Sequence, residues 1–175
     1  LATIPIVAAG FFLHKIIEDE FRSASIIAYA TIGFGILLGI VDIKSSKKRN
    51  LTDIRLLDAF LIGLSQVLAL IPGTSRSGIT ITAGLALGLT RDAASRFSFL
   101  LAIPTIFGAF FFIISKNINS EIITSWGMFV TSTALSAFFA FFSIHFFLKL
   151  IEKIGMWPFV IYRIILGLFI IIFLL

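Results

Sequence analysis

The chain has 175 residues, 59% of them hydrophobic and 13% charged, with a mean hydropathy of +1.11 and a formal net charge of +5. Soluble domains run at about 45–50% apolar and about 25% charged, so a water-soluble globule is excluded and an integral membrane protein is indicated. The absence of cysteine excludes disulfides and thiol chemistry, and the positive charge gathers in one loop, a signal of membrane topology rather than of a nucleic-acid partner.

Only helices and closed barrels satisfy their backbone in lipid. The apolar runs here are long and unbroken, without the alternation over about 10 residues that barrel strands need. The predicted fold class is therefore all-α, a polytopic transmembrane helical bundle forming one membrane domain over residues 1–175. Residues 1–13 read as the end of a spanning helix. The chain opens on Leu1 inside an apolar run, so the expectation is a longer protein truncated at its N-terminus. Residues 14–22 read as a short polar loop holding Lys15, Glu18, Asp19, Glu20 and Arg22, with Glu18 and Glu20 solvated. Ser23 or Ser25 caps the next helix, which spans to about Val41. Residues 42–55 follow, and Lys44, Lys47, Lys48, Arg49 and Arg55 place this loop on the cytoplasmic side.

Residues 56–71 form an apolar limb stopped by Pro72 and Gly73, since proline lacks the amide donor and glycine admits a left-handed turn. The limb over 79–89 has about 11 residues and covers roughly 17 Å, short of a ~30 Å hydrocarbon core. Two limbs meeting at a Pro-Gly break predict a re-entrant hairpin over about 56–89. Thr90, Arg91 and Asp92 then start a span over 93–114, kinked at Pro104. Residues 115–120, with Lys116, make an outer turn. A span over 122–148 leads to an inner loop with Lys149, Glu152 and Lys153. The last span covers 159–175, with Trp157 and Tyr162 as interfacial anchors. This layout puts the five basic residues of 42–55 with Arg91, Arg96, Lys149 and Lys153 inside, and only Lys15, Arg22 and Lys116 outside, as the positive-inside rule expects.

Residues 71–80 carry the chemistry. Arg76 lies between two apolar limbs, where an arginine costs roughly 2.5–3.5 kcal/mol on insertion scales and marks a functional site with a partner. Gly73 and Gly78 allow close backbone approach to a ligand. Thr74, Ser75, Ser77 and Thr80 supply hydroxyl groups, and the amides after Ser77 open a helix whose dipole favours an anion. Arg76 adds a planar fork that matches phosphate oxygens. Together these residues describe a phosphate cradle in the membrane. A nucleotide P-loop is excluded, because G-x-x-x-x-G-K-[ST] and its strand are missing. A packing reading competes for the small residues: Gly84 and Gly88 form G-x-x-x-G, and serines and threonines bond their own helices. His14 and His145 stand alone, so no metal ligands are assigned. Arg163 is read as reaching the interface, and Arg96 and Ser98 as cap and loop contacts.

The stretch Leu70-Ile71-Pro72-Gly73-Thr74-Ser75-Arg76-Ser77-Gly78 resembles the P-G-x-S-R-S-G signature of the bacterial undecaprenyl-diphosphate phosphatases, also called bacitracin resistance proteins. The likeness continues through Ala93-Ala94-Ser95-Arg96-Phe97-Ser98-Phe99-Leu100-Leu101-Ala102-Ile103-Pro104 and ends at Pro158-Phe159-Val160-Ile161-Tyr162-Arg163. It covers essentially the whole chain, as the C-terminal two-thirds of a family member. It implies a multi-pass enzyme of the bacterial inner membrane with two re-entrant hairpins in inverted repeats, of which this chain would hold half. Such an enzyme hydrolyses undecaprenyl diphosphate to undecaprenyl phosphate and phosphate, recycling the lipid carrier of cell-wall synthesis and lowering the diphosphate that bacitracin sequesters, with its site facing the extracytoplasmic side.

Carried onto these residues, the resemblance makes Arg76 and Ser75 catalytic and Gly73, Thr74, Ser77, Gly78 and Thr80 substrate-binding. The implied partners are the polyprenyl diphosphate, membrane lipids and a second copy in a homodimer. The family's E-x-x-x-E helix and Ser/His hairpin lie before the start of this chain. Residues 1–175 alone are therefore expected to be inactive, and a magnesium or calcium ion would be held by the substrate and the other half. Two further readings stay open: a lipid-phosphate carrier or flippase, since re-entrant hairpins also build transporters, and a structural membrane subunit. Arg76→Ala separates them by what it removes: phosphate release, lipid translocation or folding.

Overall fold

The computed structural model describes residues 1–20, 23–116 and 126–175, with side chains described outside 13–22 and 112–125. Among the described residues seven α-helices follow one another: α1 (Ile4–Glu20), α2 (Ala24–Lys44), α3 (Leu56–Ser65), α4 (Arg76–Ala86), α5 (Arg91–Lys116), α6 (Trp126–Ile154) and α7 (Trp157–Leu174). Short 3-10 turns occupy Leu51–Asp53 and Gln66–Leu70. No strand forms among the described residues, and Arg49 and Leu89 make an isolated bridge. Among the described residues, four helices are long and apolar enough to cross a membrane: α2, α5 over Arg91–Phe111, α6 and α7. The protein is an all-α, polytopic membrane protein.

The predicted hairpin is drawn by its hydrogen bonds. After α4, Gly88 turns with φ +84°, and its carbonyl accepts the amides of Lys48 and Arg49 at 3.0 Å each. The Thr90 amide returns to the Arg49 carbonyl at 2.8 Å. The Arg49 guanidinium donates to the Leu87 carbonyl at 3.0 Å and pairs with Asp58 at the start of α3. Both ends of the α3–α4 hairpin therefore meet on the basic loop. Its inner faces join one core: Ile62, Ile81, Leu85 and Leu89 bury against Leu38 of α2, Ala93, Ala94 and Leu101 of α5, and Val160 of α7. A Cβ at Gly84 would lie 2.9 Å from the Ala94 Cβ, so Gly84 serves close packing of α4 on α5. Gly88 instead serves the left-handed turn.

A second junction lies at the same end. Asp42, 1% exposed on the last turn of α2, accepts Arg91 Nε at 2.7 Å and Nη2 at 2.9 Å. It also accepts the Met156 amide, between α6 and α7, at 3.4 Å. Three chain segments thus converge on one carboxylate.

Two helices continue through segments read as loops, and the limbs of the hairpin are α-helical over Leu56–Ser65 and Arg76–Ala86 where 56–71 and 79–89 were expected. α1 continues through Glu20, where a loop over 14–22 was expected. α6 continues to Ile154, so Lys149, Glu152 and Lys153 sit on its last turns and not in a loop. The cause is the same in α1 and α6: hydropathy marks where lipid stops, whereas Glu and Lys are strong helix formers that carry a helix on into the headgroup layer. Gly155, at φ +72°, ends α6. Ser23 is the cap of α2, its hydroxyl accepting the Ile26 amide at 3.3 Å. The readings of His14, Lys15, Glu18, Asp19, Glu20, Arg22 and Lys116 as side chains, and most of the outer turn over 115–120, lie outside the described residues.

Candidate functional site

The polar loop joins the 3-10 turn at 66–70 to the N-terminus of α4. The Thr74 amide closes a turn on the Ile71 carbonyl at 3.1 Å. Gly73 holds φ +90°, a conformation that side-chain-bearing residues avoid. A Cβ there would overlap the Ile27 carbonyl oxygen of α2, so the loop lies hard against that helix. Ser75 is the N-cap of α4, in extended backbone, and its Oγ accepts the Gly78 amide at 3.1 Å. Ser77 Oγ stands 3.4 Å from Ser75 Oγ. The loop thus sets two hydroxyls and the first amides of a helix side by side, an arrangement that receives anions.

Arg76 is half-buried and leans toward α5. Its Nε donates to Gln66 Oε1 at 2.7 Å and its Nη2 to Thr105 Oγ1 at 3.3 Å. Gln66 is fully buried, and its Nε2 finds no partner. Thr80 is 1% exposed. Its hydroxyl meets Ser98 Oγ at 2.7 Å and the carbonyls of Arg76 and Ser77 at 3.0 and 3.1 Å, so it ties α4 to α5 and points away from the loop mouth. Ser98 is correspondingly buried at 1%, an inter-helix contact rather than a cap.

On the opposite face, between α2, the loop and α7, lies a cavity of about 420 Å³. Gly73, Thr74, Ser75, Ser77 and Gly78 line it, together with Thr31 and Arg163. Five of the seven predicted site residues are thus gathered on one wall; Arg76 and Thr80 are not part of it. The reading of Arg163 as an interfacial side chain is overturned. It is 7% exposed, and its Nε donates to the Thr31 carbonyl at 3.1 Å and its Nη2 to the Gly73 carbonyl at 2.8 Å. Thr31 adds a hydroxyl bond to the same Gly73 carbonyl at 3.2 Å. Depth along a helix can be counted in a sequence but direction cannot, and α7 turns Arg163 toward α2. Its place in the third resembling block, inside a span, was the available signal. Gln66, Thr105 and Thr31 were missed; a lone amide in the apolar run over 56–71 was the clue to Gln66.

Among the described residues no ion pair reaches Arg76 or Arg163; the pairs present are Lys47–Asp42, Arg49–Asp58, Arg91–Asp42 and Arg96–Asp92. Nor do three acidic or imidazole groups converge to hold a metal ion. His145 is exposed on α6. The arrangement offers hydroxyl, amide and guanidinium donors, the groups from which a tetrahedral oxyanion accepts hydrogen bonds.

Residues 1–169 match the model of a family described as "Bacitracin resistance protein BacA". The chain is 49% identical over 167 residues to the undecaprenyl-diphosphatase of Marinobacter nauticus, across 95% of this chain and 63% of that protein. It is 51% identical over 167 residues to that of Hahella chejuensis, across 95% and 62%. The chain thus spans a little under two thirds of the length of the curated relatives it matches.

Proposed function

The chain belongs to the bacitracin resistance protein BacA family, and from that premise we propose that the whole protein is an undecaprenyl-diphosphate phosphatase of the bacterial inner membrane. It hydrolyses undecaprenyl diphosphate to undecaprenyl phosphate and inorganic phosphate, and by removing the diphosphate it confers bacitracin resistance. The observation that carries this reading is the loop at 73–78: hydroxyls and helix-terminal amides inside a membrane bundle, with Arg163 on the cavity side and Arg76 on the α5 side, neither guanidinium in an ion pair among the described residues. A diphosphate head would seat at this loop, and the apolar wall of the adjoining cavity suits a prenyl chain.

Phosphoryl transfer needs positioning and charge stabilisation more than covalent chemistry. In the net hydrolysis the bond between the bridging oxygen and the terminal phosphorus breaks, undecaprenyl phosphate leaves, and the oxygen of water ends on inorganic phosphate. The part played by this chain is to hold the diphosphate and to stabilise the charge that spreads over its oxygens. Three acidic or imidazole groups do not converge among the described residues, so no step is routed through a metal; a magnesium or calcium ion would be held by the substrate and by the part of the whole protein outside these residues.

The test is phosphate release from undecaprenyl diphosphate by the purified full-length protein. Arg76→Ala should lower kcat by about 10²–10³, the cost of removing a positioned charge-stabilising donor, while the protein stays folded. Wild-type protein that moves the lipid between leaflets without releasing phosphate would overturn the reading.

A further inference from the structure

The cavity between α2 and α7 contains a cation that meets no anion among the described residues. Arg163 commits Nε and Nη2 to the carbonyls of Thr31 and Gly73. Among the described residues its Nη1 has no hydrogen-bond partner, and no carboxylate pairs with the group. That nitrogen lies against the first turn of α4: a Cβ built on Gly78 would stand 3.0 Å from it. The positive end of an 11-residue helix and a buried guanidinium therefore sit side by side. Two like charges in a weakly polar setting repel, and a buried charge without a partner is costly.

A second observation is independent of charge. Thr74 lines the same cavity at 8% exposure, and its hydroxyl has no hydrogen-bond partner. A buried polar group left unpaired calls for an occupant. Ser75 and Ser77 stand on the same wall. A free guanidinium edge, three hydroxyls and a helix N-terminus form the donor set of a phosphate oxygen.

We propose that Arg163 is a second phosphate-binding cation, contacting from α7 a phosphate group of the lipid diphosphate at the N-terminus of α4. This rests on the phosphatase reading for the identity of the ligand. The cavity and its unpaired groups speak for an anion by themselves.

The experiment uses the full-length protein in nanodiscs, with methylene diphosphonate as a non-hydrolysable probe and undecaprenyl diphosphate as substrate. Arg163→Gln should raise KM and weaken the probe about tenfold or more, as loss of a charge-assisted bond requires. Arg163→Lys should lie between the two. Thr74→Val gives the sharper test. It removes an unpaired buried hydroxyl, so the ligand-free protein should melt at a higher temperature while binding the probe more weakly, a combination that a purely packing role does not produce. Should Arg163→Gln fail to fold, Arg163→Lys and Thr74→Val decide. Unchanged KM and probe affinity in both, with wild-type phosphate release intact, would overturn the inference and leave the phosphatase reading standing. Arg163-dependent probe binding without phosphate release would sustain the anion site and remove the phosphatase reading instead.

Discussion

Gln66 and Arg76 are ten residues apart, and the Pro-Gly break between them folds the amide onto the guanidinium at 2.7 Å. An arginine side chain has many rotamers, and a fork is useful only when held. Gln66 Oε1 and Thr105 Oγ1 fix two edges of Arg76 from two different elements. Gln66→Leu removes one fixing point and also an amide whose Nε2 has no partner, so its effects on folding oppose each other. The expected outcome is a melting temperature within a few degrees of wild type and a kcat lowered about tenfold, since hydrogen bonds to charged groups contribute ~1.5–3 kcal/mol. Phosphate release and thermal unfolding on the same preparation check it; equal loss of both would make Gln66 a structural residue. At this scale the loop was legible in the sequence, because Ser75, Ser77, Arg76 and the two glycines are out of place among leucines and isoleucines. Which way each side chain faces was not. Thr80 and Arg163 both exchanged their expected surroundings, one turned to Ser98 and the other to Gly73, because rotation about a helix axis depends on neighbours distant in the chain.

The hairpin is the element on which the site depends. Its two limbs were readable from length and from the Pro-Gly break together: 11 residues in α4 are too few to cross, and a polar break precedes them. Its anchoring was not legible, since Asp42 and Arg91 lie 49 residues apart and met only when α2 and α5 were packed. Two substitutions probe it. Gly73→Ala puts a Cβ into the Ile27 carbonyl at a positive φ. It should destabilise by at least ~1–3 kcal/mol and abolish phosphate release, because the cap at Ser75 is displaced with it. Asp42→Ala leaves Arg91 without its carboxylate beside Gly155 and frees the Met156 amide. Asp42 is buried but Arg91 is partly exposed, so the cost falls below the ~3–5 kcal/mol of a fully buried pair; a clear fall in melting temperature is still expected although Asp42 lies at the opposite end of α2 from the loop. Asp42→Ala with wild-type stability would mean that α5 and the α6–α7 turn are held by other contacts.

At the scale of the whole molecule, α2 serves as a ruler. It runs from its cap at Ser23 to Ser45, and the loop touches it at Ile27 and Thr31. Eight residues separate Thr31 from Ser23, roughly 12 Å, and fourteen separate it from Ser45, roughly 21 Å. The loop thus lies nearer the end of α2 that is remote from Lys44, Lys47, Lys48 and Arg49. If those basic residues mark the cytoplasmic face, the loop opens toward the extracytoplasmic one, and under the proposed function it would take its lipid diphosphate from that side. Single cysteines in the full-length protein test this directly. Ser46→Cys and Asp92→Cys flank the point where the hairpin closes on the basic loop, so both should react with a membrane-impermeant maleimide only from the cytoplasmic side. Ser23→Cys should react only from outside. Labelling of positions 46 and 92 from opposite sides contradicts the hydrogen bonds between Arg49, Gly88 and Thr90 and removes the hairpin. Labelling of both from outside keeps the hairpin but turns the loop to the cytoplasm, where it would meet lipid diphosphate from the opposite leaflet.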